Sequence, residues 1–276
     1  MATINCSGKL IDLSIPRVMG IVNCTPDSFY DGGRLKTDRD LLIQVEKMLR
    51  DGATFIDVGG YSSRPDGIDI TADEELSRVL PILDLIVDRF EVTGLSCDSF
   101  RESVITQALQ HGANMVNDIS AGKLDSKMME RVAAAQVPYI MMHMRGTPQT
   151  MKSMTHYDDL VGEMIHYYSE RVAVARSYGI HDLIIDLGFG FAKNLQQNFQ
   201  LLDQLDLFTS LDVPILTGIS RKSMIYKVLD SSPEMALNGT TALHMIALER
   251  GSSILRAHDV REAVETIKLY RQLHEQ

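Results

Sequence analysis

Three cysteines, Cys6, Cys24 and Cys97, are all that this chain of 276 residues contains, and they are widely spaced with no CxxC pair. An odd number without paired spacing argues against a secreted disulfide framework and fits free thiols in a reducing compartment. No apolar run is long enough to cross a bilayer, since the most apolar stretch, VAAAQVPYIMM, is short and interrupted. The start, MATINCSGKLIDLSIPR, has no basic segment leading into an apolar one, so no leader is expected and the cytoplasm is the expected location. Positive charge is scarce as well: Lys and Arg number 27 against 37 Asp and Glu, a formal net charge of −10. That balance disfavours a diffuse hold on nucleic acid or on an anionic membrane, so any anionic ligand must meet a local basic pocket. Low-complexity tracts, charge blocks and Pro/Ser linkers are missing, and so are GxGxxG and GxxxxGK[ST], which leaves dinucleotide and P-loop readings without support.

What is present is ordinary globular composition, 45% apolar and 23% charged with 6% aromatic residues. A pattern repeats along it. Short apolar runs alternate with longer stretches of helical period: VMGIVN (18–23), TFIDVG (54–59), LSCD (95–98), MVNDI (115–119), PYIMMH (138–143), LIID (183–186), PILTG (214–218) and SILRAH (253–258). Continuous apolar runs of this length read as parallel strands buried on both faces. Between them, Thr37 with Asp40 can cap a helix whose Leu41, Leu42, Val45, Met48 and Leu49 share one face, and Asp259 with Glu262 can do the same before Val260, Ala263, Val264 and Ile267. Ser232 and Pro233 look like the N-cap and first position of a helix over EMALNGTTALHMIAL. Eight strand–helix repeats argue for a (β/α)8 TIM barrel, an α/β fold, as a single domain over 1–276, with 4–14 as a short N-terminal hairpin closing the bottom.

In such a barrel the active site lies at the C-terminal ends of the strands. The runs end on Asn23, Asp57, Asp98, Asn117 with Asp118, His143, Asp186, Thr217 with Ser220, and Arg256 with His258. Asp98, Asn117 and Asp186 suit a flat, hydrogen-bond-rich heterocycle, because a carboxylate can accept two parallel N–H bonds from an amidine-like edge. Taken singly, each is equally a turn or cap residue. Arg64, Arg256 and His258 bring cationic donors, and Ser220-Arg221-Lys222-Ser223 opens a helix after a strand, a ready anion site. DLGFGFAKN (186–194) sets two glycines in a strand-to-helix loop. A metal-hydrolase barrel is the rival reading, but the first strand lacks an HxH pair, His143 reads as a hydrogen-bonded wall residue rather than a ligand, and the Met-rich IMMHM reads as inner-wall packing.

Eight phrases, NCTPDSF (23–29), DVGGYSSRP (57–65), CDS (97–99), NDI (117–119), MHM (142–144), DLGFGFAKN (186–194), SRKS (220–223) and RAHD (256–259), together closely resemble the dihydropteroate synthase family of folate biosynthesis, in the family's order and across nearly the whole chain. The resemblance implies a transferase barrel that joins 6-hydroxymethyl-7,8-dihydropterin diphosphate to 4-aminobenzoate, with Mg²⁺, by a dissociative mechanism. It implies that Asp98, Asn117, Asp186 and Lys222 hold the pterin, that Asn23 meets the diphosphate and Mg²⁺, and that Arg64, Arg256 and His258 grip the phosphates. Phe29, Ser63, Pro65, Phe191 and Ser223 would line the aminobenzoate pocket, with Asp98, Lys222, Arg256 and His258 as the catalytic set. The loops at 24–36 and 60–71 are the expected mobile parts. A homodimer is expected from family habit alone, and no nucleic-acid or membrane partner is expected. Where the family usually has Glu, Thr, Pro and Gly, this chain has Tyr61, Ser63, Leu187 and Ala192; Cys24 and Ser99-Phe100 also depart. A pterin-dependent methyltransferase module and a non-catalytic pterin-binding relative are the alternatives, and the phosphate-gripping residues argue against both.

Overall fold

The computed structural model describes residues 3–25, 38–62 and 67–274. Two short strands, β1 (Thr3–Cys6) and β2 (Lys9–Asp12), form an antiparallel hairpin. Eight more, β3 (Arg17–Asn23), β4 (Phe55–Gly59), β5 (Gly94–Asp98), β6 (Met115–Asp118), β7 (Tyr139–Met142), β8 (Leu183–Asp186), β9 (Ile215–Thr217) and β10 (Ile254–Ala257), pair in parallel and close on themselves, β10 returning to β3. Nine helices surround them among the described residues: α1 (Asp38–Arg50), α2 (Ala72–Arg89), α3 (Glu102–Gln110), α4 (Met128–Ala135), α5 (Leu160–Ser177), α6 (Leu195–Asp203), α7 (Ser223–Tyr226), α8 (Leu237–Glu249) and α9 (Val260–His274). Every expected strand is found, and the expected TIM barrel with its hairpin is the observed fold.

The strand residues alternate between two apolar layers, as the pleat requires. Val18, Val22, Ile56, Val58, Val116, Ile185 and Leu255 pack outward against the helices. Met19, Phe55, Met115, Ile140, Ile184, Leu216 and Ile254 share a second cluster with Ile4, Cys6, Ile11 and Leu13 of the hairpin region, so the hairpin does cover the inner layer. With that end closed, the polar groups have only the opposite mouth to occupy.

One helix departs from expectation. Pro233–Met235 is a separate 3-10 turn, and α8 begins at Leu237 with Ala236 as its N-cap. The cause lies far away in sequence: Arg221 Nη1 donates to the carbonyls of Pro233 and Glu234 at 2.9 and 2.5 Å, taking acceptors a continuous helix would need. Among the described residues no helix is long and apolar enough to cross a membrane.

Candidate active site

The mouth of the barrel is built around one guanidinium. Arg256 on β10 donates through Nε to Asp57 Oδ2 at 2.7 Å and through Nη2 to Asp98 Oδ2 at 3.0 Å. Asn117 Nδ2 donates to the same Asp57 oxygen at 2.9 Å, so β4, β5, β6 and β10 are tied by one network. On the far wall Asp186 Oδ1 accepts the Gly188 N–H at 2.9 Å, which turns the chain directly after β8. Lys222 donates to the Phe189 carbonyl at 2.5 Å, and its ammonium lies 4.8 Å from the Phe191 ring centroid.

These bonds leave Asp98 Oδ1, Asn117 Oδ1 and Asp186 Oδ2 with no hydrogen-bonding partner among the described residues. Three acceptors on one floor match a ligand that presents several N–H groups along an edge. Burial sets the protonation of the floor. It pushes the Asp98 carboxyl up to about 8, with Asp57 beside it adding to the rise and Arg256 opposing. Burial also raises Asp186, with Lys222 opposing, and lowers the Lys222 ammonium to about 8 against the pull of Asp186. The paired carboxylates outweigh desolvation at Arg256 and hold its charge.

The remaining expected residues fall into three groups. Asn23 ends β3 in register with Gly59, which is itself opposite Asp98, and is partly exposed. His258 lies one residue beyond β10 beside Ser220, whose hydroxyl is 3.0 Å from His258 Nδ1. Phe29, Ser63, Arg64 and Pro65 lie outside the described residues, as do 26–36 of the first loop expected to be mobile and 63–66 of the second. Ser223 opens α7, but that helix is a single turn with Lys222 at its N-cap. Arg221, part of the same expected anion site, is instead structural: it pairs bidentately with Asp259 at 2.7 and 2.9 Å. The cation there is therefore Lys222. Among the described residues no three His, Cys, Asp or Glu side chains cluster as a metal cage.

Sequence reasoning placed Asp57 at the rim without a role, yet it is fully buried and holds both Arg256 and Asn117. Its place inside DVGGYSSRP was the available signal. The Phe189 carbonyl was missed because a main-chain acceptor has no sequence signature. At Gly188 (φ +66) a Cβ would stand 2.2 Å from the His143 carbonyl oxygen. Gly188→Ala is therefore expected to unseat the loop after Asp186 and to cost roughly 2 kcal/mol or more in a denaturation curve. A change below about 0.5 kcal/mol would show that the loop simply shifts.

Comparison with known proteins identifies the family of this chain. The sequence profile described as pterin binding enzyme matches residues 19–258. The chain belongs to the pterin-binding enzyme family. Dihydropteroate synthase of Escherichia coli K12 is 41% identical over 264 residues, 95% of this chain and 93% of the relative; that of Haemophilus influenzae is 39% identical over 96% of both. Among solved structures, a Yersinia pestis dihydropteroate synthase in a sulfonamide drug complex superposes with a TM-score of 0.95 at 37% identity, over 99% of this chain and 100% of that one. A Xanthomonas albilineans dihydropteroate synthase with 4-aminobenzoic acid gives 0.92, also at 37%, over 100% and 99%. Within this pterin-binding frame, two departures have visible settings. Ala192 holds φ +50, a left-handed conformation that glycine adopts more easily, and its carbonyl accepts the Tyr157 hydroxyl at 3.0 Å. Tyr61 accepts from Gln149 Nε2 at 2.8 Å and donates to Asp69 at 3.1 Å, with its ring edge-on to Phe100.

Proposed function

We propose that the chain, as one barrel domain over 1–276, condenses 6-hydroxymethyl-7,8-dihydropterin diphosphate with 4-aminobenzoate at this mouth, releasing diphosphate and forming 7,8-dihydropteroate. The activity is that of dihydropteroate synthase, a transferase of folate biosynthesis. The observation that carries the assignment to this site is the floor itself: Asp98, Asn117 and Asp186 keep one acceptor each for the pterin, ringed by Arg256 and Lys222.

The pterin N–H edge is bound by those oxygens, and Lys222 sits between the pterin and the Phe191 ring. Arg256, with Arg64 and His258, receives the diphosphate. The C–O bond to diphosphate breaks first, its electron pair leaving with the diphosphate and a cation remaining at the pterin methylene. Asp57, Asp98 and Asp186 below stabilise that positive charge, since fixed carboxylates in a low-dielectric site need no reorganisation. The aminobenzoate amine then forms the C–N bond and loses one proton. Phe29, Ser63, Pro65 and Phe191 border the aminobenzoate, and Ser223 takes its carboxylate. No side-chain nucleophile is required.

Mg²⁺ would be held here through the Asn23 carboxamide oxygen, a hard donor of the kind this ion takes. When bound it neutralises charge on the leaving diphosphate. The chain acts in the cytoplasm, which the three free cysteines support, and it pairs as a homodimer by family habit.

The protonation of the floor predicts a narrow pH optimum. Asp98 must ionise and Lys222 must stay charged, and both sit at about 8. kcat/KM for the pterin diphosphate is therefore expected to rise toward pH 8 and fall above it as a coupled pair of ionisations. Asp98→Asn is expected to abolish the rising limb as well as most activity; a rising limb unchanged in the residual activity would assign it elsewhere. Mass-spectrometric detection of 7,8-dihydropteroate with equal release of diphosphate tests the reaction. Bound pterin without product would favour a binding protein or methyl-transfer module.

A further inference from the structure

Behind the floor lies a second lysine that the mechanism does not use. Lys193 is 7% exposed, and its ammonium meets three acceptors: Gly188 O at 3.1 Å, Phe191 O at 3.0 Å and His143 Nδ1 at 3.1 Å. An ammonium has three N–H donors, so every one is used, and none is left for a substrate or a proton transfer. Burial lowers this lysine to about 7 while Asp186 pulls the other way, and burial together with the Lys193 charge keeps His143 neutral, as an acceptor at Nδ1 must be.

The two carbonyls it grips bracket one turn. Phe191 N–H donates to the same Gly188 oxygen at 3.0 Å, so Lys193 braces both ends of the turn that presents the Phe191 ring. Inside that turn, Phe189 O receives Lys222, whose ammonium also faces the Phe191 ring. The ring packs on a small apolar cluster of Ile119, Met142, Met144, Met151 and Ala192, while His143 anchors the brace to the end of β7. Two lysines thus hold one loop, Lys222 from the site and Lys193 from behind it.

We propose that Lys193 is a positioning residue for the aminobenzoate side of the site: its ammonium ties the Gly188–Phe191 turn to His143 and so sets where the Phe191 ring stands, touching neither substrate. This rests on the reading above that Phe191 borders the aminobenzoate. Of the three floor acceptors, Asp98 and Asn117 hang on other strands and Asp186 is fixed as the last residue of β8, ahead of the braced turn, so loss of the brace falls chiefly on the second substrate.

Steady-state kinetics with Lys193→Met, His143→Leu and His143→Asn test it. Asn can set its Oδ1 where His143 has Nδ1 and keep the third acceptor, whereas Leu removes it. Lys193→Met is expected to raise KM for 4-aminobenzoate about tenfold or more while KM for the pterin diphosphate moves less than about threefold. His143→Leu is expected to move the aminobenzoate KM in the same direction by less, and His143→Asn to restore it to within about twofold of wild type. A folded Lys193→Met enzyme with both KM values unchanged, or raised equally, would overturn the proposal. Should Lys193→Met fail to fold, the His143 pair decides: equal aminobenzoate KM values in Leu and Asn variants would overturn it. A wild type that makes no dihydropteroate would overturn the underlying reading of the site, and this proposal with it.

Discussion

Replacing Arg256 by alanine is expected to remove nearly all activity and to lower stability by about 3 kcal/mol, because truncating one member of a buried ionic network leaves its partners uncompensated. The partners are Asp57, fully buried, and Asp98, whose side chain is 20% exposed. In a chain of this length the loss corresponds to a melting temperature roughly 6–10 °C lower. Its pH dependence identifies the cause. In the wild type Asp98 titrates at about 8 with Arg256 opposing the rise, so without Arg256 it titrates higher still. A carboxyl raised in the folded state loses stability as pH climbs toward its folded value. Below pH 8 Asp98 is mainly protonated in both proteins, and above it only the wild type gains the ionised pair. The gap in melting temperature should therefore widen between pH 7 and pH 9 in thermal melts. A gap that stays constant over that range would show that Asp98 is not Arg256's titrating partner.

Asp186→Asn is the second large effect, and it separates chemistry from folding. The amide keeps an oxygen for the Gly188 N–H, so the turn after β8 survives and the melting temperature changes little. What disappears is the negative charge. A hydrogen bond to a charged group is worth about 1.5–3 kcal/mol, so affinity for the pterin diphosphate is expected to fall roughly 10- to 150-fold by isothermal titration. Asp186 also supports the charge on Lys222 and Lys193. In the variant both lysines fall further, and the alkaline limb of kcat/KM moves to lower pH. Binding within about threefold of wild type would remove Asp186 from the pterin floor.

Much of this architecture was legible in the sequence for a simple reason. Parallel strands buried on both faces are largely apolar, and a barrel carries its site at their C-terminal ends, so runs such as LIID and LSCD announce both the strand and its functional end. What escaped detection depends on partners distant in sequence. The break between Pro233–Met235 and α8 is caused by Arg221, and the same arginine, bound to Asp259, left the SRKS phrase with Lys222 as its available cation. Asp57 looked like any strand residue near a turn until Arg256, 199 positions away, was found on it. Lys193 passed unnoticed because two of its acceptors are main-chain carbonyls. Local pattern reports periodicity and charge type, while the pairing of charges is a property of the closed barrel.

The most direct test of the central claim, that the chain makes dihydropteroate on this floor, is turnover of the wild type, Asp186→Asn and Arg256→Ala side by side at pH 8. Each protein is first shown to be folded, then supplied with Mg²⁺, the pterin diphosphate and 4-aminobenzoate. The account predicts steady product from the wild type and a loss of about 100-fold or more in both variants. Product formed equally by all three would place the chemistry elsewhere in the molecule.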